Sequence, residues 1–404
     1  MVKKIIVCIV TQSHLCRNPR VLKEAITLSA AGYEILIVTS AYSKSLSKQD
    51  LFLIKGHNIT IVHGSDLSKK NYRSFIDRSI KKLGVLFIKY LNLETSLALG
   101  YGVFRYYKIC KSIKADLYIC HQELATFIGN KLINSGFRVS FDLEDWYAED
   151  LLLSSRNERP INLLRRSEFF ALKKASFCTT TSNALAKKLS QTYACNLPHV
   201  IYNVFPSQTS LLEKQKDFSR TLKLFWFSQT VGPGRGLEQF IHLTSSLSKK
   251  LELHLLGNID ESYREKLKLL IPIQHGLYFH ELVEEQVLAE KIASFDIGLA
   301  LELITPKSRD YTITNKFFQY LQSGLPIIAS ATEGQNEGFE KFQPGFKLSQ
   351  NPSAKEIINL GKWLMNPVEV ELARLRASEA AKFYNWEIES KKLIALVSTH
   401  LQSC

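Results

Sequence analysis

The sequence predicts an α/β protein of two domains, each built on a parallel sheet. Short apolar runs of strand length alternate with amphipathic helical segments in both halves of the chain. At 404 residues the chain exceeds one compact core, and two domains of about 200 residues each is the natural division. A polar stretch, "PSQTSLLEKQKDFSR" (206–220), lacks strong periodicity and separates the halves as a linker. Hydrophobic residues make up 45% and charged residues 22%, an ordinary balance for a soluble globular protein. No stretch approaches the roughly 20 apolar residues of a membrane span.

The elements follow in order. "KIIVCIV" is read as the first strand and not as a signal peptide: the apolar run is short, lacks a small-residue cleavage site and leads into the polar "TQSHLCRNPR". A helix begins after Asn18 with Pro19 at its first position, and Val21, Leu22, Ala25 and Leu28 are expected to face inward. "YEILIVTS", "ITIVHG", "DLYICH", "RVSFDLE", "FCTTTS" and "HVIYN" complete the strands of the first half. The second half supplies "LKLFWFSQT", "LELHLLG", "LYFHE", "DIGLALE" and "PIIAS". Before the last of these, "NKFFQYLQSG" reads as a helix with Phe317, Phe318 and Leu321 on one face, stopped by Gly324 in the left-handed conformation and by Pro326. The seven cysteines are scattered without C-x-x-C pairs, which points to a reducing cytoplasm and no zinc site. There is no internal repeat at solenoid spacing.

Charge divides unevenly. Residues 1–200 carry 29 Lys+Arg against 15 Asp+Glu, whereas residues 201–404 carry 23 of each, so the net +14 lies in the first half. Its densest segment, 69–92, interleaves cations with Tyr72, Phe75, Ile76, Ile80, Leu83, Phe87 and Tyr90. Such a basic amphipathic helix suits an anionic membrane surface. A solvated helix packed on its own domain is the equal alternative. No nucleic-acid recognition module is present.

Ligands of open α/β sheets bind beyond the carboxyl ends of the strands, and two such domains imply a cleft. After "LKLFWFSQT", Gly232, Gly234 and Gly236 surround Arg235 ahead of a helix, a turn that can present backbone N–H groups and a guanidinium to an anion. A tight turn with a surface arginine is the plain alternative. After "DIGLALE", Asn315 and Lys316 open a helix that could hold a second anionic group, with Gln319 one turn on to meet vicinal hydroxyls. In the first half Asp142, Glu144 and Asp145, His121 and Glu123, and His14, Arg17 and Arg20 follow strands. They are candidates for a general base and for sugar-hydroxyl contacts, each with a local cap or ion-pair role as the alternative. The absence of a D-x-D pair, a G-x-S-x-G elbow and a Walker A sequence argues against a metal–diphosphate site, a serine hydrolase and a P-loop kinase.

Several stretches together resemble the retaining, nucleotide-sugar-dependent glycosyltransferases of group 1 (family four). These are "NPRVLKEAITLSAAGYEILIVTS", "GPGRGLEQFI", "LHLLGN", "HELVEEQVLAEKIASFDIGLALE", "NKFFQYLQSGLPIIAS" and the terminal "FYNWEIESKKLIALVSTHL". The resemblance implies the GT-B fold, two Rossmann-like domains with parallel sheets facing a central cleft. Residues 1–205 would bind the acceptor, 206–220 link, 221–380 bind the donor, and 381–404 cross back to the first domain. Arg235 and Lys316 would hold the donor diphosphate, with Gly234, Gly236, Asn258, Glu281, Tyr311, Asn315 and Gln319 completing the donor set. The catalytic candidates are Glu144, Asp145, Asp142 and His121; the acceptor candidates are His14, Arg17 and Arg20. Tyr311 and Gln319 stand where relatives often carry two glutamates, Gln229 where they carry a second cation, and Glu144 near their catalytic histidine.

The implied activity is transfer of a sugar from a UDP- or GDP-sugar co-substrate, without metal or other cofactor, to a glycan or lipid-linked acceptor. The setting would be cell-surface polysaccharide or lipopolysaccharide assembly, in the cytoplasm or peripherally on the inner face of the membrane. The alternatives are a catalytically idle GT-B binding or scaffold subunit, for which Tyr311 and Gln319 speak, and a GT-B epimerase or phosphorylase.

Overall fold

Val7, Cys8, Ile9 and Val10 are all buried, the state of a strand covered on both faces, and this burial turns the apolar runs into parallel sheets. The structure is a computed structural model that describes residues 4–212 and 216–402. The first sheet comprises β1 (Ile6–Val10), β2 (Glu34–Ala41), β3 (Ile59–Asp66), β4 (Leu117–His121), β5 (Val139–Leu143), β6 (Cys178–Thr180) and β7 (His199–Val200). The second comprises β8 (Leu222–Val231), β9 (Leu251–Ile259), β10 (Gly276–His280), β11 (Ile297–Ala300), β12 (Ile327–Ser330) and β13 (Gly345–Leu348). Their orders are β3-β2-β1-β4-β5-β6-β7 and β10-β9-β8-β11-β12-β13, with every pairing parallel. Two Rossmann-like α/β units result. Strand β13 escapes the sequence reading because "GFKL" alternates poorly and sits at the sheet edge.

Chain contacts divide the protein into one unit of residues 1–201 with 390–404, and another of Tyr202–Glu389. The expected linker 206–220 begins in the second unit's span with a single helical turn, Thr209–Leu212, whose two leucines are buried. Its residues 213–215 lie outside the described residues. Residues 390–402 of the last helix (Trp386–Gln402) belong to the first unit, where Tyr33 Oη meets Ser398 Oγ at 3.2 Å and Arg138 donates to the His400 carbonyl at 2.5 Å. Among the described residues no helix is long and apolar enough to cross a membrane.

The helix Pro19–Ala30 starts as expected, with Asn18 Oδ1 accepting the Val21 N–H at 3.2 Å. Its inward face is different. Val21, Ala25 and Leu28 are buried, but Leu22 is only half-buried, and the charged Arg20 and Glu24 go inside instead. They do so because they meet polar partners at the ends of β4 and β5.

In the second unit the helix Asn315–Gln322 buries Phe317, Phe318 and Leu321 completely and stops where Gly324 takes φ +67°. Its Tyr320 ring lies flat on Gly298 of β11, and the hydroxyl donates to the Phe225 carbonyl at 2.9 Å. A Cβ at position 298 would stand 2.3 Å from that ring. Gly298→Ala is therefore expected to destabilise the protein by about 1–3 kcal/mol. Gly361 lies in the helix Ala354–Met365, where a Cβ would meet nothing nearer than 3.5 Å, so Gly361→Ala should stabilise by up to about 1 kcal/mol. Thermal melting of both variants checks the pair, and equal shifts would refute this account of the packing.

Candidate functional site

Strand order reverses between β1 and β4 in one sheet and between β8 and β11 in the other. At such a switch point the loops leave in opposite directions and open a crevice at the carboxyl edge. The loops leaving these four strands carry most of the polar residues singled out in the sequence.

In the first unit these residues build an interior ionic cluster. Arg20 reaches Asp142 through both Nε and Nη2, the latter at 2.9 Å, and donates from Nη1 to the Ile201 carbonyl at 2.8 Å. Thr179 Oγ1 donates to Asp142 at 2.8 Å. His121 Nδ1 lies 3.2 Å from Asp142 and 3.1 Å from Glu144, and its Nε2 lies 3.1 Å from Glu24. The last contact is an ion pair off the hydrogen-bonding line, since Nε2 has no aligned acceptor. Burial alone would push the His121 imidazole down, but Glu24, Asp142 and Glu144 outweigh it and hold the ring well above the usual histidine range. Burial likewise opposes ionisation of Asp142, yet Arg20 and then His121 keep its carboxyl well below the usual range.

Arg20, His121 and Asp142 are fully buried, so their polar atoms face one another. The cluster opens only at Glu144, whose side chain is 18% exposed and receives an N–H from Asn18 at 3.4 Å. Beside it the half-buried Asp145 has its pKa raised by burial and by the carboxylates of Asp150, Glu144 and Asp142. Glu24, His121 and Asp142 bring ligand-type atoms within 4.8 Å of one another, but the Arg20 guanidinium is already the cation of that group.

His14 is buried and held at both nitrogens. Nδ1 donates to Asp50 at 2.5 Å and Nε2 accepts the Tyr42 N–H at 2.8 Å, which fixes the loops after β1 and β2. Arg17 is exposed and, among the described residues, has no side-chain partner.

In the second unit Gly234 and Gly236 both take φ +79°, a conformation that favours glycine, and Gly236 caps the helix Leu237–Thr244. Between them Arg235 donates from Nη1 to Glu302 Oε2 at 2.7 Å. Arg309 Nη1 donates to the Gly234 carbonyl at 2.8 Å and to Glu302 Oε1 at 3.3 Å. Glu302, just past β11, is 3% exposed. Lys316 is half-buried as a residue, with its ammonium packed over the Trp226 ring, 4.9 Å from the centroid. Burial pushes it down to about 8, against the pull of Glu302 and with the push of Arg235 and Arg309. Three cations around one carboxylate leave a surplus of two positive charges.

Asn315 is exposed and accepts an N–H from Asn203 at 2.9 Å, while Gln319 is half-buried and has no side-chain partner among the described residues. Tyr311 closes the short helix Ser308–Tyr311 that carries Arg309. Asn258 and Glu281 are exposed at the ends of β9 and β10, one and two strands away from β8. The structure thus gathers Gly234, Arg235, Gly236 and Lys316, and it adds Glu302 and Arg309, which the sequence reading passed over. Glu302 did end a strand-like run, "DIGLALE", and that position was the available signal.

No family model matches the sequence, and no curated protein matches it. Solved structures match along the whole chain. The fold they share with this protein is that of the GT-B glycosyltransferases. One is a sucrose-phosphate synthase from Thermosynechococcus elongatus, with a TM-score of 0.70 at 12% identity, covering 99% of this chain and 100% of that one. Another is HepE of Anabaena in complex with UDP and glucose, at TM-score 0.66 and 14% identity, covering 98% and 100%. A glycosyltransferase from Rickettsia africae matches at TM-score 0.64 and 12% identity over 100% of both chains.

The burial of Arg20 generates a prediction. Arg20→Met removes the cation from a buried pair and should cost about 3–5 kcal/mol of stability. A melting temperature equal to wild type would return Arg20 to the acceptor-contacting role that the sequence suggests.

Proposed function

We propose that the protein is a glycosyltransferase that binds a nucleoside-diphosphate sugar on its second unit and transfers the sugar to an acceptor on its first. The observation that carries this reading is the convergence of Arg235 and Lys316 beyond β8 and β11, within a cluster that has two positive charges in surplus. The diphosphate of such a donor carries two negative charges as a diester and gains a third on leaving. Arg235, Lys316 and the N–H groups at the start of the helix Asn315–Gln322 take up that charge, so the reaction runs without a metal. Gln319 faces the ribose hydroxyls. Glu144, at the open end of its cluster, accepts the proton of the acceptor hydroxyl, whose oxygen bonds to the anomeric carbon on the face from which the diphosphate departs, so that the sugar is transferred with retention. The neighbour HepE is described with UDP and glucose, which favours a UDP-sugar as the donor.

The acceptor is a glycan carried on a lipid, in cell-surface polysaccharide or lipopolysaccharide assembly, and it brings the first unit to the inner face of the membrane. The helix Tyr72–Leu91 supports this part. Its inward face is Ser74, Asp77, Gly84 and Ile88, and a Cβ at Gly84 would stand 2.7 Å from Leu97 and Ala98. Gly84 lets the helix lie close to its own unit, while three of its aromatic residues stay in solvent: Tyr72 is 78%, Phe75 67% and Tyr90 71% exposed. Outward aromatics among cations suit an anionic lipid surface better than water.

The donor site is tested by titrating UDP, GDP and their sugars in EDTA-containing buffer and following the melting temperature. Arg235→Ala should weaken nucleotide binding by roughly 2–4 kcal/mol and Lys316→Ala by less. Because the Lys316 ammonium is present below about pH 8 and lost above it, wild-type affinity should fall as pH rises through that value. Unchanged affinity in the Arg235→Ala protein would sink the assignment. Nucleotide binding without turnover of any donor would favour an idle binding subunit, as Tyr311 and Gln319 suggest.

The membrane part is tested with vesicles. The protein should sediment with anionic but not neutral vesicles at low salt and release at high salt. Charge reversal at Lys81, Lys82 and Lys89 should weaken that binding and leave nucleotide binding intact. Equal behaviour toward both vesicle types would point to a soluble acceptor.

A further inference from the structure

We infer that Glu302 holds Arg235 and Arg309 together as a guanidinium pair that receives the two phosphates of the donor; this deepens, and rests on, the nucleotide-sugar reading. Nothing in the sequence pattern joins these three residues. The fold brings them to one point beyond β8 and β11.

Two guanidinium groups repel each other at this range, and a carboxylate between them is what makes their convergence stable. Glu302 serves that purpose because it is fixed from behind. Its own N–H donates to Ser330 Oγ at 3.0 Å, its carbonyl accepts from Gln350 Nε2 at 3.1 Å, and its Oε1 accepts the Leu303 N–H at 3.2 Å. Each carboxylate oxygen then takes one arginine, Oε2 at 2.7 Å from Arg235 and Oε1 at 3.3 Å from Arg309.

Arg309 does more than lock a turn. Its bond to the Gly234 carbonyl, at 2.8 Å, sets the guanidinium beside the glycine turn that carries Arg235. All of its bonds run through Nη1, and Arg235 likewise uses only Nη1. Nε and Nη2 of both arginines therefore have no partner among the described residues. A guanidinium edge with two parallel N–H groups is the donor that phosphate oxygens take in pairs, and an ammonium cannot reproduce it. Two such edges and Lys316, offset by one carboxylate, match a dianionic diphosphate in charge and in number of donors. A nucleoside monophosphate would engage one edge and a nucleoside neither.

The experiment is calorimetric titration of UDP, UMP and uridine, with GDP in parallel, into wild type, Arg309→Met, Arg309→Lys and Glu302→Gln. Melting curves confirm that each variant is folded at the assay temperature. Arg309→Met should weaken UDP at least tenfold, weaken UMP less, and leave uridine within twofold. Arg309→Lys should recover part of the loss, and it carries the comparison if the Met variant does not fold. Glu302→Gln removes a negative charge from an anion site and should nonetheless weaken UDP, because its amide NH2 faces a guanidinium and the pair separates. UDP binding by Arg309→Met within twofold of wild type would overturn the inference, as would an equal loss for uridine, which marks collapse of the turn. Tighter UDP binding by Glu302→Gln would make the carboxylate a competitor of the ligand instead of its organiser. A wild-type protein that binds neither UDP nor GDP would instead remove the nucleotide reading itself.

Discussion

A carboxylate buried at the carboxyl end of a strand must be matched by a cation, and that requirement shapes both units. Removing an ionised carboxyl from water costs several kcal/mol unless charge and hydrogen bonds replace the solvent. Asp142 meets the requirement with Arg20, His121 and Thr179, and Glu302 meets it with Arg235 and Arg309. The outcomes differ in the direction of the excess. Around Asp142 the carboxylates of Glu24 and Glu144 join in, every polar group except Glu144 turns inward, and the cluster braces the Pro19–Ala30 helix against β4 and β5. Around Glu302 the cations outnumber the carboxylate, and Nε and Nη2 of both arginines have no partner among the described residues. One arrangement closes on itself and the other keeps an excess of cations, built from the same residue types.

The sheets make these arrangements possible. Strands buried on both faces offer polar side chains room only at their ends, and the reversal of strand order decides at which ends the loops part. Arg235 and Glu302 are distant in sequence yet adjacent because β8 and β11 are neighbours across that reversal. The Gly298–Tyr320 contact serves the same end, since it seats the helix that begins with Asn315 and Lys316 directly on β11.

Much of this was legible in the sequence. Apolar runs fixed twelve strand positions, Asn18–Pro19 marked a helix start, and "NKFFQYLQSGLPIIAS" gave a helix, its stop and the following strand. The glycine turn around Arg235 and the position of Lys316 were visible as well. What could not be read was the destination of charged side chains. Hydrophobic periodicity places Arg20 and Glu24 on the outside of their helix, because nothing local signals Asp142 or His121 as partners. The same holds for Arg309, whose partners lie on two other loops, and for His14, which closes on Asp50. In the Tyr72–Leu91 helix the apolar stripe was evident, but the sequence did not show that it divides, with Ile76, Ile80 and Phe87 half-buried and Tyr72, Phe75, Leu83 and Tyr90 exposed.

The first unit is not a continuous piece of chain: its residues 1–201 are completed by 390–402, which contribute the Ser398 hydroxyl, the His400 carbonyl and a His400 ring 4.8 Å from Phe177. During synthesis those last residues leave the ribosome after all of 202–389. At roughly 5–20 residues per second, the first unit waits on the order of ten to forty seconds for its closing segment. The second unit, being continuous, has everything it needs before that moment. The half that emerges first is thus the half that finishes last, and a nascent chain would spend that interval with its earlier sheet lacking the closing helix.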